Sequence, residues 1–392
     1  MVENVHDTSQ YGYLIKRAKQ LLSDTLGRSI QLGDTEVLSD ADRRNTLLRC
    51  RNLSGEAPAT FIIKQVVAEK WNPNDMESWH TQRFFKDWAG ARFMSDLGIE
   101  PACSPRYFCG DRDLGFFVME DLGTPRTLVD PLLNETAADA EAALIAFSAV
   151  LGRLHSASAG KAELYRKIHN ELSLNNSVVR TGEKVDLEKF VSQLAQLDVD
   201  RSAELLVELE QARAAIESPG PYLAFIHGDP CPDNVFIVDG NAILIDFEFA
   251  RLGHALIDAA YGRMMFPTCW CCNRPPESTV NRMETVYRAE LAKSVPEAAD
   301  DQKFGTALVD ACAYWAIGAL SWHLESSLTE DQEWGISTVR SRILSRLQAF
   351  ASTSEEFGRY VALRDTLILV HDKLKQRWPE TEALPLYPAF RN

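Results

Sequence analysis

The chain has 392 residues, with 41 Lys and Arg against 56 Asp and Glu for a net charge of −15, and is 45% hydrophobic and 25% charged. This composition describes a soluble globular protein of about two structural units, and it excludes a disordered tail protein. Eight cysteines are too sparse for a disulfide scaffold, and the acid excess excludes a general nucleic-acid binder, which needs a cationic face.

Gly12–Leu26 has the helical spacing of apolar residues at Leu14, Ile15, Ala18, Leu21 and Leu22. Strand-like runs follow at Gln31–Leu38, Thr46–Asn52 and Ala59–Val67, separated by Ser39-Asp40, Ser54-Gly55 and Pro58. A helix over Ser78–Leu97 stops at Gly98 and Pro101, and two further strands are expected near Arg106–Cys109 and Leu114–Met119. Residues 1–121 thus form a five-stranded unit with one helix inserted after its third strand. Residues 122–392 read as mostly helical, over Thr136–Ala157, Asp186–Gln196, Ala203–Glu217, Val280–Ala292, Gln302–Ser326, Ser337–Ala351 and Ser354–Trp378. A single hairpin, Val235–Phe247, interrupts them. The expectation is an α+β fold of two lobes with a cleft between them, a favoured place for a small-molecule site. The charge divides unevenly, with 15 bases and 18 acids in 1–121 (net −3) and 26 and 38 in 122–392 (net −12). No segment reads as a signal peptide, and the longest strongly apolar stretch, around Ala311–Trp322, falls short of the roughly 20 residues that span a bilayer. A cytoplasmic protein without membrane partners is therefore expected.

The stretch Phe225–Ala250, FIHGDPCPDNVFIVDGNAILIDFEFA, concentrates the polar chemistry. Asp239-Gly240-Asn241 between two apolar runs signals a hairpin. If all three residues form the turn, Val238 pairs with Ala242, and counting outward places Asn234 opposite Asp246 on one face. Asp229 lies five residues before Asn234, on a loop shaped by Gly228, Pro230 and Pro232. A carboxylate beside a carboxamide and a second carboxylate suits divalent-cation binding together with proton abstraction, and Mg²⁺ favours such oxygen ligands.

His227-Gly228-Asp229, Asn234 and Ile245-Asp246-Phe247-Glu248 resemble the catalytic and metal-binding loops of the aminoglycoside phosphotransferase family, which has a protein-kinase-like fold and includes choline kinase relatives. The resemblance spans roughly Leu32–Asp258. It implies an antiparallel five-stranded N-terminal lobe, a mostly helical C-terminal lobe, and ATP and Mg²⁺ as cofactors. It further implies Asp229 as catalytic base, with Asn234 and Asp246 holding Mg²⁺. Glu248 replaces the glycine of protein kinases, either assisting the metal or capping the loop. Lys64, a lone cation in the apolar run Ala59–Val66, is similar to the family's nucleotide-binding lysine. Asp87 falls where relatives usually carry the glutamate that pairs with it, and Glu77 is the alternative. The turn over Ser39–Asn45 lacks the glycines of protein kinases, leaving Ser39, Arg43 or Arg44 as phosphate contacts. Phe117–Gly123 resembles the inter-lobe hinge, with adenine on the backbone of Glu120 and Leu122 and apolar walls at Val118 and Met119. Leu154-His155 matches a structural helix end, and Asp258 matches an aspartate that anchors the catalytic loop.

Cys269-Trp270-Cys271-Cys272 invites a zinc reading but lacks a fourth ligand at a known spacing. No G-x-x-x-x-G-K-[ST] motif occurs, which argues against a P-loop kinase. The expected activity is transfer of phosphate from ATP to a hydroxyl of a small molecule, with the acid-rich second lobe favouring a cationic amino alcohol or an aminoglycoside-like acceptor. A nucleotide-binding scaffold without turnover is the alternative. Oligomeric state is not readable.

Overall fold

In the computed structural model, residues 8–39, 44–55, 58–68, 70–175 and 184–391 are described. Five strands, β1 (Leu32–Val37), β2 (Asn45–Asn52), β3 (Thr60–Val66), β4 (Tyr107–Asp111) and β5 (Phe116–Glu120), form one antiparallel sheet in the order β1-β2-β3-β5-β4. Strand alternation sends successive side chains of β3 to opposite faces. Phe61 and Ile63 join Leu48, Cys50, Phe116 and Val118 beneath the apolar stripe Leu14, Ala18 and Leu22 of helix α1 (Gly12–Leu26). Val66 points the other way, into a cluster with Phe117 and with Phe84, Phe85, Trp88 and Ala91 of helix α2 (Trp79–Leu97). Lys64 shares this second face by its register and lies opposite Phe117 on β5. Central β3 is therefore buried on both faces, and its one cation is directed at α2.

The chain divides into two compact units. The first contains Met1–Pro125, Glu163–Val178 and Leu244–Ala250, and the second contains Arg126–Ala162, Val179–Ile243 and Arg251–Asn392. Two later segments thus join the first unit, among them a helix over Ala162–Ser173 that the sequence analysis did not identify. Its Tyr165 ring meets Phe93 edge-on, with centroids 5.5 Å apart.

The second unit is built from packed helices. Ala137–Ser158 crosses Glu277–Leu291 at Gly152, where a Cβ would lie 2.6 Å from Glu290 Cβ and 2.8 Å from the Tyr287 carbonyl. Only glycine admits that approach. Asp301–Thr329 is, among the described residues, one helix long and apolar enough to cross a membrane, but 94% of its most apolar window is buried inside the protein, as for a core helix. The helical run expected from Ser354 to Trp378 breaks later than its start implies. Val339–Phe357 continues to a left-handed Gly358 at φ 63°, and a new helix runs from Val361 to Arg377. The expected hairpin is also not alone. Leu223–Ile226 pairs with Arg251–His254, and Arg126–Thr127 adds a third strand to the hairpin. These four-residue and two-residue strands are too short to show a period.

Phe85 is fully buried between α2 and the sheet. Phe85→Ala is expected to destabilise the first unit by about 3–5 kcal/mol, read as a lowered denaturation midpoint in urea.

Candidate active site

In the first unit, Lys64 Nζ lies 2.7 Å from Asp87 Oδ2 and 2.7 Å from Asp246 Oδ1. Burial alone would pull the ammonium down, but the two carboxylates outweigh it and hold Lys64 above its ordinary lysine value. Burial also lifts the Asp87 carboxyl above the usual range, against the pull of Lys64. Asp87 does more than pair with the lysine, since its Oδ1 accepts the Phe247 amide at 2.9 Å. The alternative acid, Glu77, lies exposed in the turn before α2, where its amide donates to Asp75.

One helical turn before Asp87, on the same face of α2, the buried Arg83 forms an ion pair with the buried Glu248. The Arg83 guanidinium also lies 5.3 Å from the ring centroids of both Trp79 and Phe249. Helix α2 thus holds residues 246–249 through Asp87 and Arg83 together. Of the two roles open to Glu248, its pairing with Arg83 favours fixing the loop. Sequence reasoning passed over Arg83, although its spacing of four from Asp87 was visible.

The expected adenine walls fall on different faces. Val118 is fully buried in the core beneath α1, so it cannot line a nucleotide pocket; alternation turns it away from the Lys64 face. Met119 is half-buried against the α2 cluster. Glu120 pairs through its amide with the Arg106 carbonyl at 2.8 Å, and its carboxylate accepts the Arg106 amide. Leu122 follows the strand and is half-buried. Asp121 ties the strand end to β2 through Arg49 Nε at 2.7 Å and accepts the Gly123 amide at 2.8 Å. Ser39 accepts the Leu47 amide at 3.1 Å, closing its own turn. Arg44 borders a small cavity with Arg83, Asp87 and Glu248, and Arg43 lies outside the described residues.

In the second unit, Asp258 is fully buried and accepts the amides of His227 at 2.7 Å and Gly228 at 3.1 Å. His155 lies behind it, with Nε2 3.4 Å from Asp258 Oδ2 and Nδ1 2.8 Å from the Tyr287 hydroxyl. Burial works to raise the Asp258 carboxyl, but His155, His227 and Arg251 hold it below the usual range. The loop then turns tightly through Gly228 at φ 79°. The Asp229 carbonyl accepts both the Cys231 amide at 2.8 Å and the Asn234 side-chain amide at 3.0 Å. That bond directs the nitrogen of the Asn234 carboxamide at the loop and leaves its oxygen as the end suited to a cation.

The hairpin turn differs from the three-residue expectation. Its strands are Val235–Val238 and Asn241–Leu244, joined by Asp239 and Gly240, both at positive φ (48° and 77°). A two-residue turn with this geometry suits the twist of a hairpin, and it shifts the count by one residue. Asn234 ends a 3₁₀ turn and Asp246 follows the second strand at φ 67°. The strand ladder therefore does not set them opposite one another.

Cys231 and Cys269 are joined in a disulfide, with Cα atoms 5.4 Å apart. The sequence offers zinc as one reading of the Cys269–Cys272 cluster and gives no sign of the pairing with Cys231. Cys271 and Cys272 are buried thiols, and Cys272 donates to the Met265 carbonyl at 2.8 Å. Among the described residues, no group of three or more His, Cys, Asp or Glu is arranged to hold a metal. Asn234 in the second unit and Asp246 in the first each carry a hard oxygen donor of the kind Mg²⁺ takes.

A family model described as "Phosphotransferase enzyme family" matches residues 74–273. No curated protein sequence matches the chain significantly. Among solved structures, a choline kinase from Cryptosporidium parvum is 14% identical with a TM-score of 0.50, the likeness covering 91% of this chain and 99% of that one. A putative fructosamine-3-kinase from Thermobifida fusca is 16% identical with a TM-score of 0.43, covering 85% and 98%. The choline kinase likeness is one of fold.

Replacing Asp258 by Ala leaves two buried amides without their acceptor, at a cost of about 1–3 kcal/mol each. Because its carboxyl is depressed in the fold, its contribution is present above the unfolded value near pH 4 and is lost as pH falls through the folded one. Asp258→Asn is accordingly expected to lower stability at neutral pH and to flatten the acid limb of a stability-versus-pH curve.

Proposed function

Because the chain belongs to the phosphotransferase enzyme family, whose model covers residues 74–273, we propose that it is an ATP-dependent small-molecule phosphotransferase, together with the residue roles and the acceptor class that follow. The nucleotide belongs to residues 1–121 and the acceptor to the helical region 122–392. Lys64 meets the ATP phosphates and Asp87 holds it in place, a role supported by the 2.7 Å ion pair. Adenine lies against the backbone of Glu120 and Leu122 with Met119 as an apolar wall.

Asp229 is the catalytic base. It accepts the proton of the acceptor hydroxyl as the oxygen attacks the γ-phosphorus, and the bond to the β–γ bridging oxygen breaks to release ADP. Such transfer depends chiefly on positioning and electrostatic stabilisation. Asn234 and Asp246 would hold Mg²⁺, which when bound would neutralise the phosphate charge. The anchoring of the Asp229 loop by Asp258 is the observation that most supports this reading. The reaction is that of a cytoplasmic protein acting on a metabolite-sized alcohol.

A cationic acceptor is favoured by Asp233 and Trp270. Asp233 is exposed, and its carboxylate accepts the indole N–H of the 38%-exposed Trp270 at 3.1 Å. A carboxylate beside an accessible indole ring suits an ammonium group.

Asp229→Asn is expected to lower turnover by about 10²–10⁴-fold while ATP binding, followed by titration calorimetry, stays intact. Turnover equal to the unaltered protein would remove Asp229 from the role. ADP release measured across choline, ethanolamine, homoserine, aminoglycosides, macrolides and neutral sugars should favour the amines, and a neutral sugar outperforming every amine would overturn the cationic reading.

A further inference from the structure

Asp229 is gripped through its side chain as well as its backbone, and the second grip comes from a distant part of the chain. The Thr268 hydroxyl donates to Asp229 Oδ1 at 2.5 Å. Having given its proton to the carboxylate, Thr268 accepts from the Tyr261 hydroxyl, whose oxygen lies 2.9 Å away. Burial, with Asp229 and Asp258 nearby, keeps the Tyr261 phenol well above its ordinary value, so it remains a donor. The two hydroxyls form a relay that ends on one carboxylate oxygen.

The segment that carries Thr268 is held with unusual thoroughness. Met265 and Phe266, both non-glycine, have positive φ values of 57° and 49°, a conformation that persists only where the surroundings enforce it. The carbonyls on either side of Thr268 are each bound by a buried arginine. Arg346 donates to the Pro267 carbonyl at 2.8 Å, and Arg342 to the Cys269 carbonyl at 2.7 Å. These arginines are one turn apart on the helix Val339–Phe357. Burial lowers both guanidinium values, that of Arg342 to about 10. Such desolvation is costly, and an apolar helix contact would pack the segment without it. The Cys231–Cys269 disulfide then links the residue after Thr268 to the loop two residues after Asp229.

We propose that Thr268 is a positioning residue for phosphoryl transfer, orienting the Asp229 carboxylate through Oδ1 so that Oδ2 meets the acceptor hydroxyl, with Tyr261 fixing the Thr268 hydroxyl in turn. This rests on the reading of Asp229 as the base. A hydroxyl held against a carboxylate restricts its rotation, and a reacting group misplaced by about 1 Å can cost on the order of 10²-fold.

The test compares Thr268→Val, Thr268→Ser, Tyr261→Phe and Asp229→Asn by ADP release from MgATP, with choline and with kanamycin as acceptor probes. Circular dichroism and ATP titration serve as controls on folding and nucleotide binding. Thr268→Val is expected to lower kcat by about 10–100-fold, with KM for ATP within threefold of the unaltered enzyme. Thr268→Ser should restore kcat to within about threefold, and Tyr261→Phe should give a smaller loss than Thr268→Val. An inactive Asp229→Asn beside a fully active Thr268→Val overturns the positioning role and leaves the base assignment standing. An active Asp229→Asn overturns the base assignment and this inference with it. If Thr268→Ser falls as far as Thr268→Val, the hydroxyl is not the operative group and the inference fails. If Thr268→Val does not fold, Tyr261→Phe decides: unchanged kcat overturns the relay, and a lowered kcat at constant KM for ATP supports it.

Discussion

The first unit is organised around a buried ammonium. Lys64 lies on the central strand, with buried Ile62 and Val66 on either side of it on the same face, and an unpaired charge there would cost several kcal/mol. The sheet's alternation aims it at α2, so α2 must present an acid at that level. Asp87 does so, and its second oxygen reaches the Phe247 amide. A single side chain thereby joins strand, helix and the segment after the hairpin. Arg83, one turn earlier, repeats the join through Glu248. Residues 244–250 group with the first unit despite lying more than a hundred residues further along the chain, and these two contacts supply a physical reason.

The second unit solves a different problem, holding still a short loop whose only regular structure is one 3₁₀ turn at its end. Residues 227–234 contain Gly228, Pro230 and Pro232, which shape a turn but supply few ladder bonds. Asp258 compensates by accepting two consecutive amides from the loop, and His155 and Tyr287 support Asp258 from the helices behind. A carboxylate that accepts backbone amides fixes the backbone but leaves side chains free to rotate. Thr268 acts on the degree of freedom that remains, the torsion of the Asp229 carboxylate.

The sequence made one layer of this legible and left another hidden. Residues on regular elements with a period, such as Leu14 and Ala18 on α1 or Lys64 on β3, could be placed because alternation and helical spacing fix which face they occupy. Asp258 could be placed by resemblance. Val118 was misassigned because strand parity, counted correctly from Lys64 through the β3–β5 register, turns it toward α1; the motif alone carries no parity. Thr268 and Tyr261 left no signal. Thr268 meets Asp229 across 39 residues and Tyr261 reaches it only through Thr268, and the segment opens with two left-handed residues, Met265 and Phe266, that no periodicity encodes. The Cys231–Cys269 bond was equally hidden, since a pairing across 38 residues cannot be read from spacing.

The acid excess that first suggested a cationic acceptor weighs less once its partners are known. Much of the negative charge beyond residue 121 is already answered locally. Glu284 and Glu356 bind Arg263, Asp310 binds Arg359, and Glu210 and Glu217 bind Arg213. Paired carboxylates of this kind contribute little field at a distance, and exposed ones are screened within about 8–10 Å at ordinary salt. Net charge is therefore a weak guide to the acceptor, whereas position is a strong one. Asp233 lies four residues after Asp229, and its indole partner Trp270 lies two residues after Thr268. The proposed ammonium-bearing acceptor is therefore favoured by one carboxylate and one ring adjoining the two segments that position Asp229, and the surrounding charge adds little.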